Sequence, residues 1–576
     1  MFGGKRVLLP GFGLPLYLDD DQKKKLFPTA MDYPPTYLPL TTLREFTMMN
    51  LMNQLTDKPK WDQKIEDPEI ASKWREEALN IPDIDMSEQM VDYCIAELRD
   101  KARLFQEYNA VSVFTGDVVK SDTIVPDSLR TTLIQTVKPL EDVPSKLQDW
   151  HPRSDDMVLD LVHPSLFPLL YGRSRVLPHG RTTLDDCIER CSQGEVLVVS
   201  PDRSAERRWG YEPYSDKFQW LPCEVDISNG DAKITSYINN LHPHQHKELY
   251  GLIEQVISAA IPLWNMTLSP SRGLYKKRIC YSDEGYHSNP ADWSAAEGPQ
   301  QEDEDNHLER REYLRTHQVI QPEPGMFWPD HSDLHVDLRK EYAGTGLQVI
   351  VKLANIVLTP EKPKYGGGTW HIEGQLNEHI CATALYDYHN ENITPSHLAF
   401  RQRASEDDAN GLGNSWDDDS TNHEDWLPQI FGCSNFESIV QDVGKIETKQ
   451  GRLLTFPNIL QHQVQPFQLA DPTQPGDRKL LALFLVDPNL KIISTANVPC
   501  QRADWWRQAV HDGPEKARQV RIPIELQEHI LDEVEEFPLS MEEAKDLRLE
   551  LMDERSIFTT CLNDVFHSDQ FLLGEH

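Results

Sequence analysis

The feature that most constrains the fold of this 576-residue chain is the stretch Leu347–Leu358, where polar side chains interrupt an otherwise hydrophobic run. Successive strand residues point to opposite faces of a sheet, so a strand that is apolar at nearly every position must be covered on both faces. Gln348 and Lys352 share one face, and we expect both to point into a lined cavity. The stretch therefore predicts a central strand of a covered sheet with a polar pocket beside it.

A possible metal-binding pattern follows this strand. His371 and Glu373 stand two residues apart in a segment predicted as a strand, so both side chains would leave the same face. His462 comes 89 residues after Glu373 (462 − 373), again in a predicted strand. Two histidines and one carboxylate on one side of a metal, with other positions open, form the ligand set of non-haem Fe(II) oxygenases. We therefore predict that His371, Glu373 and His462 bind iron and form the catalytic centre.

A candidate cosubstrate site follows the second histidine. Arg478 comes 16 residues after His462 (478 − 462), at the start of the last predicted strand. A guanidinium group binds carboxylates in a bidentate fork, and the small Ala482 on the same strand face would leave room beside it. We predict that Arg478 binds 2-oxoglutarate, with Lys352 and Gln348 as further candidates. With molecular oxygen, such a site would hydroxylate, desaturate or cyclise a small-molecule substrate, and the sequence leaves these three outcomes open.

The order of predicted elements indicates an α+β protein with a double-stranded β-helix (jelly-roll) core and helical and irregular extensions at both ends. The predicted divisions are an irregular arm (residues 1–40), a helical and mixed α/β region (41–235), the jelly-roll catalytic core (236–500, with an acidic loop inserted at about 401–430) and a helical extension (501–576).

Several individual elements can be predicted from periodicity and capping signals. They are a capping box at Thr42-Leu43-Arg44-Glu45, a helix capped by Ser87 with its apolar face running from Val91 to Phe105, strands at Val158–Val162 and Val196–Val199, a helix from His244 to about Ala260, a loop at 281–312, strands at 378–388 and from Arg478 to Val486, and a packing element at Ile524 to Val534.

Composition excludes some classes of function. The formal net charge of −36 argues against nucleic acid as a partner, because phosphate binding needs a basic surface. No apolar run is long enough to predict a membrane span. Nine cysteines without a CxxC pair predict neither a disulfide framework nor a zinc site, so we expect a reducing compartment and a cytoplasmic location. The oligomeric state stays open.

Other histidines offer competing ligand sets. We interpret two HxD pairs before the long strand as a charged surface turn, one further histidine as a residue that packs or supports a metal ligand, and three alternating histidines as a helix N-terminus. These are, in order, His331 with Asp333, His335 with Asp337, His379, and His242 with His244 and His246.

Four segments carry a resemblance to a known family: residues 9–16, 237–243, 347–356 and 367–374. They resemble the large fungal family catalogued as domain of unknown function 4246, and the likeness extends from the amino-terminal arm to about residue 520. That family name implies no activity. The wider jelly-roll oxygenase pattern at His371, Glu373, His462 and Arg478 implies, by resemblance to fungal tailoring enzymes, a substrate such as a secondary metabolite or an amino-acid derivative.

Three other functions remain as alternatives. A cupin-like metalloenzyme would use the same metal ligands without 2-oxoglutarate. A jelly-roll binding or scaffold protein would use the histidines and the glutamate for structure alone. A hydroxylase acting on a basic protein partner would match the strongly acidic composition.

Overall fold

The computed structural model describes residues 5–198, 212–273, 275–279, 321–329, 335–405, 427–434, 437–512, 538–568 and 570. The helices are α1 (Asp20–Lys23), α2 (Leu43–Thr56), α3 (Trp61–Lys64), α4 (Pro68–Leu79), α5 (Glu88–Tyr108), α6 (Asp127–Glu141), α7 (Lys247–Leu268, followed by a 3-10 turn at Ser269–Arg272), α8 (Leu338–Tyr342), α9 (Leu427–Phe431), α10 (Ala503–Asp512) and α11 (Met541–Ser568). The strands are β1 (Leu9–Pro10), β2 (Gly13–Leu14), β3 (Val111–Val113), β4 (Val118–Ser121), β5 (Val158–Val162), β6 (Leu169–Leu170), β7 (Arg175–Val176), β8 (Glu195–Val196), β9 (Phe218–Gln219), β10 (Cys223–Asp226), β11 (Lys233–Ile234), β12 (Leu347–Leu358), β13 (Lys364–Tyr365), β14 (Ile380–Glu391), β15 (His397–Arg403), β16 (Val440–Glu447), β17 (Leu453–Pro457), β18 (Gln461–Val464), β19 (Phe467–Gln468) and β20 (Gly476–Val486).

A nine-stranded antiparallel sheet forms the centre of the protein. Its order is β11-β10-β12-β20-β14-β17-β4-β3, and β5 also pairs with β12. β20 lies between β12 and β14, so the three longest strands are adjacent. Alternate residues of β20 join different apolar clusters: Ala482 and Phe484 on one face, Leu481 and Leu483 on the other. The sheet is therefore covered on both faces, as the composition of β12 predicts.

A second, smaller sheet faces the large one. It contains β16, β15 and β18 in that order. Phe400 and Ile446 from this sheet pack in one buried cluster with Phe456, Ala482 and Phe484 from the large sheet. The space between the two sheets is therefore filled by side chains from both, as in other face-to-face sheet packings.

Helices cover the outer face of the large sheet. Ile253, Val256 and Trp264 of α7 belong to the same buried cluster as Leu481 and Leu483. α6 lies beside α7 and also contacts β14. Helix α7 is apolar over most of its length, which suits an element buried between a sheet and further structure.

The amino-terminal helices form a separate cluster. α2, α3, α4 and α5 pack around residues such as Trp61, Trp74 and Leu98. Ser87 caps α5 as predicted, because its hydroxyl accepts a hydrogen bond from the Met90 amide (3.1 Å). These helices enlarge the protein without contributing to the histidine cluster described below.

Several predicted elements are confirmed and others need correction. The strands at Leu347–Leu358 and Val158–Val162 have the predicted bounds. The strand predicted at Val196–Val199 is wrong for the residues that are described, since β8 is Glu195–Val196 and Val199 lies outside the described residues. The helix predicted to end near Ala260 continues to Leu268, because the residues after Pro262 are buried against the sheet. The predicted acidic loop is too long at both ends, where β15 and α9 lie.

Other predictions fall on residues that are not described. The loop at 281–312, the packing element at 524–534 and the centre of the acidic loop, residues 406–426, lie outside the described residues. Among the helices of the described residues, none is both long and apolar enough to cross a membrane.

Candidate metal centre

His371, Glu373 and His462 lie together at one edge of the small sheet. Glu373 Oε1 is 3.8 Å from His371 Nε2 and 3.3 Å from His462 Nε2. One ligand atom from each residue lies within 4.8 Å of the other two. The His371 side chain is 33% exposed whereas that of His462 is 5% exposed, so the cluster is open on the His371 side. The three predicted ligands can therefore reach one ion.

The backbone around these ligands differs from the predicted strand. His371 forms an isolated bridge with His462, with amide-to-carbonyl distances of 3.1 and 3.0 Å, and Glu373 lies in a bend. The chain turns directly after Glu373, at Gly374, which has φ +71°. A glycine suits this position because of that backbone conformation and because a Cβ would lie only 2.9 Å from Ile380 Cδ1. The prediction of a regular strand is wrong here, although the two side chains still converge.

Asn458 holds the bend in place. Its Oδ1 accepts a hydrogen bond from the Glu373 amide and its Nδ2 donates to the Glu373 carbonyl, both at 2.9 Å. Nδ2 also donates to the Ile380 carbonyl at 3.0 Å. One buried amide thus replaces the missing strand partner on both sides of the Glu373 backbone. Nothing in the sequence near Glu373 indicated Asn458, which stands 85 residues later.

The second ring nitrogen of each histidine has a different environment. His371 Nδ1 lies 2.8 Å from the Thr369 carbonyl. Because a carbonyl only accepts, this contact places the proton on Nδ1 and leaves the Nε2 lone pair toward Glu373. The neutral form of His371 therefore has the tautomer that a metal ligand needs. Nδ1 of His462, by contrast, is buried and has no hydrogen-bond partner among the described residues.

For Glu373 and His462, electrostatics favour the charge state that binds a divalent cation. Burial by itself would raise the pKa of Glu373, but hydrogen bonds to His371 and His462 and the charges of both hold it well below its usual value. Burial lowers the pKa of His462 to about 4, with a further contribution from His371. Glu373 is therefore ionised and His462 neutral near pH 7, which is the protonation that ligands require.

Arg478 lies at the start of β20, fully buried. Its Nε donates to Asp387 Oδ1 at 2.6 Å and its Nη1 donates to Ser396 Oγ at 3.5 Å. Nη2 is buried without a hydrogen-bond partner in the described part of the chain, as is Asp387 Oδ2. Arg478 also lowers the pKa of Tyr365, which burial raises. One edge of the guanidinium is thus held by protein, whereas Nη2 has no hydrogen-bond partner among the described residues.

The two further cosubstrate candidates have different positions. Lys352 pairs with Ala482 in the sheet register. Burial lowers the pKa of His371 and the charge of Lys352 lowers it further, but the hydrogen bond and charge of Glu373 raise it overall. Gln348 donates to Glu224 Oε1 (2.7 Å) and to the Ile492 carbonyl (2.9 Å), and accepts from the Ile492 amide (3.0 Å). The structure therefore places Lys352 near the metal centre and uses the Gln348 amide to hold a neighbouring segment.

The competing histidines lie elsewhere. His331 and Asp333 fall outside the described residues. Asp337 caps α8, because its carboxylate accepts from two backbone amides at 3.1 Å, which agrees with a structural role. His242 Nδ1 accepts from the amides of His244 and Gln245 just before α7, as the interpretation of a helix N-terminus expects. His379 is buried and approaches the ring of Tyr214, at 6.2 Å between centroids.

Two further groups with possible ligands were missed in the sequence. His389 and Glu391 repeat the HxE spacing and lie near Asp477, but the Glu391 side chain is 71% exposed. His151, Asp160 and His163 also converge, although no common spacing signals them.

The group at His151, Asp160 and His163 is already satisfied in large part by hydrogen bonds. His151 Nδ1 lies 2.8 Å from Asp160 Oδ2, and Arg548 Nη1 lies 3.6 Å from the same oxygen. His163 Nδ1 accepts from the Ser165 amide at 3.1 Å. This hydrogen bond places the proton of a neutral His163 on Nε2, which disfavours a metal there.

The fold and the site together define an α+β protein with antiparallel sheets and a candidate two-histidine, one-carboxylate metal centre. Residues 88–509 match the family described as "Protein of unknown function (DUF4246)", and residues 9–77 match "Domain of unknown function DUF4246, N-terminal". The chain belongs to this family, and the match confirms the resemblance seen in the sequence. No curated protein matches the chain.

Proposed function

We propose that this protein is an Fe(II)- and 2-oxoglutarate-dependent oxygenase that oxidises a small molecule. The observation that carries the proposal is the convergence of His371, Glu373 and His462, with their ligand atoms within 4.8 Å of one another. Two imidazole nitrogens and one carboxylate suit Fe(II), and the carboxylate offsets one of its two charges. The exposed side of His371 leaves room for further ligands.

The order of the strands supports a jelly-roll core. From β12 onward, the chain visits the large sheet, the His371 bridge, the large sheet (β14), the small sheet twice (β15, β16), the large sheet (β17), the small sheet (β18) and the large sheet (β20). One layer of four consists of β12, β14, β17 and β20 of the large sheet, and the other of the His371 bridge segment with β15, β16 and β18. Two facing four-stranded layers built in this sequence are typical of a double-stranded β-helix. In this arrangement, the ligands lie at the edge of the small sheet that β18 and the His371 bridge form.

The surroundings of Arg478 support 2-oxoglutarate as the cosubstrate. A buried guanidinium nitrogen without a partner is costly, and a bound carboxylate would remove that cost. Asp387 holds the Nε edge and fixes the orientation, while Nη2 and the Ser396 hydroxyl stay available. Lys352 would contribute positive charge between the sheets, because it pairs with Ala482 of β20 and its side chain leaves the same face of the large sheet.

The proposed reaction has a simple balance. One substrate C–H bond, one O₂ and one 2-oxoglutarate give a C–OH bond, succinate and CO₂, with one oxygen atom in the alcohol and the other in succinate. Bound iron would supply the oxygen activation, which protein side chains cannot perform. His371, Glu373 and His462 would hold the metal, Thr369 and Asn458 would fix the ligand segment, and Arg478 would orient the cosubstrate.

A second candidate is a cupin-like metalloenzyme that does not use 2-oxoglutarate. The contact between Arg478 and Asp387 favours it, since a guanidinium already paired with a buried carboxylate has less charge to offer an anion. In that case, the reaction would depend on the metal centre alone and Arg478 would stabilise the sheet.

The test is an anaerobic titration of metal-free protein with Fe(II) and then with 2-oxoglutarate, following the visible metal-to-ligand charge-transfer band. We expect a band in the wild type, no band in Glu373→Ala, and a normal band in Glu391→Ala. Glu391 is the matched control because it is the glutamate of the other HxE pair and is exposed. Iron binding without a band would favour the cupin-like alternative, and absence of iron binding in folded protein would contradict both.

Arg478 needs a separate variant. Arg478→Lys keeps the charge beside Asp387 but removes the fork, so we expect normal iron binding and weaker 2-oxoglutarate binding. Equal affinity for 2-oxoglutarate in Arg478→Lys and wild type would show that Arg478 does not bind it.

The chemistry of the compartment fits this proposal. Eight cysteines are described, and all are free thiols. Free thiols and an oxidisable Fe(II) centre both suit a reducing compartment, and we propose the cytoplasm as the location.

A further inference from the structure

Helix α11 covers the back of the metal-ligand segment. Ile372, which stands between the two ligands His371 and Glu373, is 6% exposed. It packs in one buried cluster with Met31 and with Phe558 and Leu562 of α11. The ligand segment is therefore supported from the side opposite the metal by a helix about 100 residues beyond the last ligand.

Asn563 on the same helix contacts both ligand-bearing segments. Its Nδ2 donates to the Trp370 carbonyl at 3.2 Å. Its Oδ1 accepts from Gln461 Nε2 at 2.9 Å. Trp370 directly precedes His371 and Gln461 directly precedes His462. One side chain thus joins the Trp370 backbone to the Gln461 side chain, and so connects the residue before His371 with the residue before His462.

Arg401 reinforces this junction. Its Nε donates to Gln461 Oε1 at 2.6 Å, and its Nη2 donates to Asn563 Oδ1 at 3.1 Å. The guanidinium also lies over the Trp370 ring, 4.6 Å from the centroid. Arg401, Asn563 and the two residues before the ligands therefore form one connected set of contacts.

A second contact from α11 holds the other end of the ligand segment. Arg555 Nη2 donates to Glu378 Oε1 at 2.7 Å. Glu378 Oε2 in turn accepts from the Gln375 amide at 2.7 Å. The segment from Trp370 to Gln375 is thus held by α11 at its beginning, at Ile372 in its middle and at its end.

We propose that Asn563 is a positioning residue for the metal centre, acting through the Trp370 carbonyl and the Gln461 side chain. This inference rests on the proposed metal centre. The His371 and His462 backbones share two direct hydrogen bonds, and the Gly368 amide donates to the Val464 carbonyl at 2.9 Å on one side of them. Asn563 adds a contact on the other side, at the residue before each ligand. Residues that orient metal ligands affect metal affinity although they do not touch the ion.

The first experiment compares Fe(II) affinity in three variants with the wild type under anaerobic conditions. We expect Asn563→Ala to weaken binding about tenfold. Asn563→Asp keeps the acceptor for Gln461 and removes the donor to Trp370, so we expect an intermediate loss. Thr560→Ala is the matched control, because Thr560 is exposed on the same helix and its hydroxyl only donates to the Ser556 carbonyl. Equal affinity in Asn563→Ala and Thr560→Ala would overturn the proposal.

A spectroscopic signature separates positioning from general destabilisation. Co(II) in the site reports ligand geometry by its visible spectrum, and we expect Asn563→Ala to change that spectrum at saturating Co(II) while Thr560→Ala leaves it unchanged. A weaker affinity with an unchanged spectrum, together with a lower unfolding midpoint of the metal-free protein, would assign Asn563 a merely structural role.

The final measurement does not depend on metal. Hydrogen exchange in metal-free protein follows the amides of residues 369–374 and 460–464 directly. We expect faster exchange in Asn563→Ala that is confined to these two segments, and no change or a uniform increase would overturn the proposal. If neither wild type nor His462→Ala binds iron, the proposed function fails, while the exchange result still decides whether Asn563 positions the two segments.

Discussion

At the scale of single residues, the buried Arg478–Asp387 pair raises the question of how much it contributes to the free energy of unfolding. Both side chains are at most 1% exposed, and each retains one polar atom without a partner among the described residues. Burying such a pair is often no better for stability than burying apolar side chains of similar size. Stability therefore does not by itself account for this pair, which agrees with our proposal that Arg478 binds an anion.

The stability of this pair can be tested directly. Arg478→Met leaves Asp387 buried and unpaired, so we expect a loss of about 3–5 kcal/mol in the free energy of unfolding. The double variant with Asp387→Leu should regain most of that loss. Urea unfolding of the metal-free protein measures both.

The control for the buried pair is an exposed one. Arg153 and Asp553 lie 2.6 Å apart, and both side chains are more than half exposed. Arg153→Met should cost less than about 1 kcal/mol, because water screens exposed pairs. A similar loss in Arg153→Met and Arg478→Met would contradict the role given to burial.

At the scale of elements, the turn between β3 and β4 contains a carboxylate in an unfavourable position. Asp117 is 1% exposed, and its Oδ1 accepts from the Thr115 hydroxyl at 2.9 Å. Its Oδ2 has no hydrogen-bond partner within the described ranges. Burial raises the pKa of Asp117 from 3.8 to about 6, against the opposing hydrogen bond from Thr115.

This pKa predicts the direction of a pH effect. Between pH 4 and 6 the folded protein binds the Asp117 proton more strongly than the unfolded chain, so ionisation penalises folding as the pH rises. Asp117 should therefore remove up to about 3 kcal/mol of stability between pH 4 and 7. Asp117→Asn should abolish this contribution. Urea unfolding at pH 4.5 and 7 measures it: the variant must gain stability relative to the wild type as the pH rises, and a constant difference would contradict the assignment.

The elements that the sequence predicted well are those whose signal is local. β12 has both predicted ends because the apolar run itself defines the strand. α5 begins after Ser87 because the cap is a local hydrogen bond. The prediction for α7 ended too early because Pro262 disfavours a helix locally, while burial of the following turn favours it through distant contacts. Tertiary packing decides that boundary, and no local pattern contains it.

The same distinction applies to the site. The three ligands could be chosen from spacing and order alone, and the structure brings them together. The spacing does not distinguish His371 and Glu373 from His389 and Glu391, and only the arrival of His462 separates the two pairs. Asn458 and Asn563, which hydrogen-bond to the backbone around His371 and Glu373, stand far from these ligands in sequence, so no local signal identifies them.

At the scale of the whole molecule, the candidate centre joins two segments that lie about 90 residues apart. A ligand that binds only the folded state stabilises it by an amount set by its concentration and dissociation constant. The formal net charge of −36 complicates this effect, because an acidic protein also attracts divalent cations without specific sites. Stabilisation by metal must therefore be separated from general screening.

Metal-dependent stability provides this separation. At a concentration 100 times the dissociation constant, we expect Fe(II) or Mn(II) to stabilise the metal-free protein by about 2.7 kcal/mol. Mg(II) at the same concentration serves as the control for screening, since it prefers oxygen ligands over imidazole. His462→Ala should lose the difference between the metals and His389→Ala should retain it. Equal stabilisation by Mg(II) and Mn(II) would show that the effect is not site-specific.

The position of α11 along the chain has a consequence for biosynthesis. Asn563 is translated 101 residues after His462 (563 − 462). At about 5–20 residues per second, roughly 5–20 s pass between the appearance of the complete ligand set and that of its support. The nascent chain therefore presents both histidines and the glutamate before the helix that covers them exists. The order of translation makes the docking of α11 the last step in building the site.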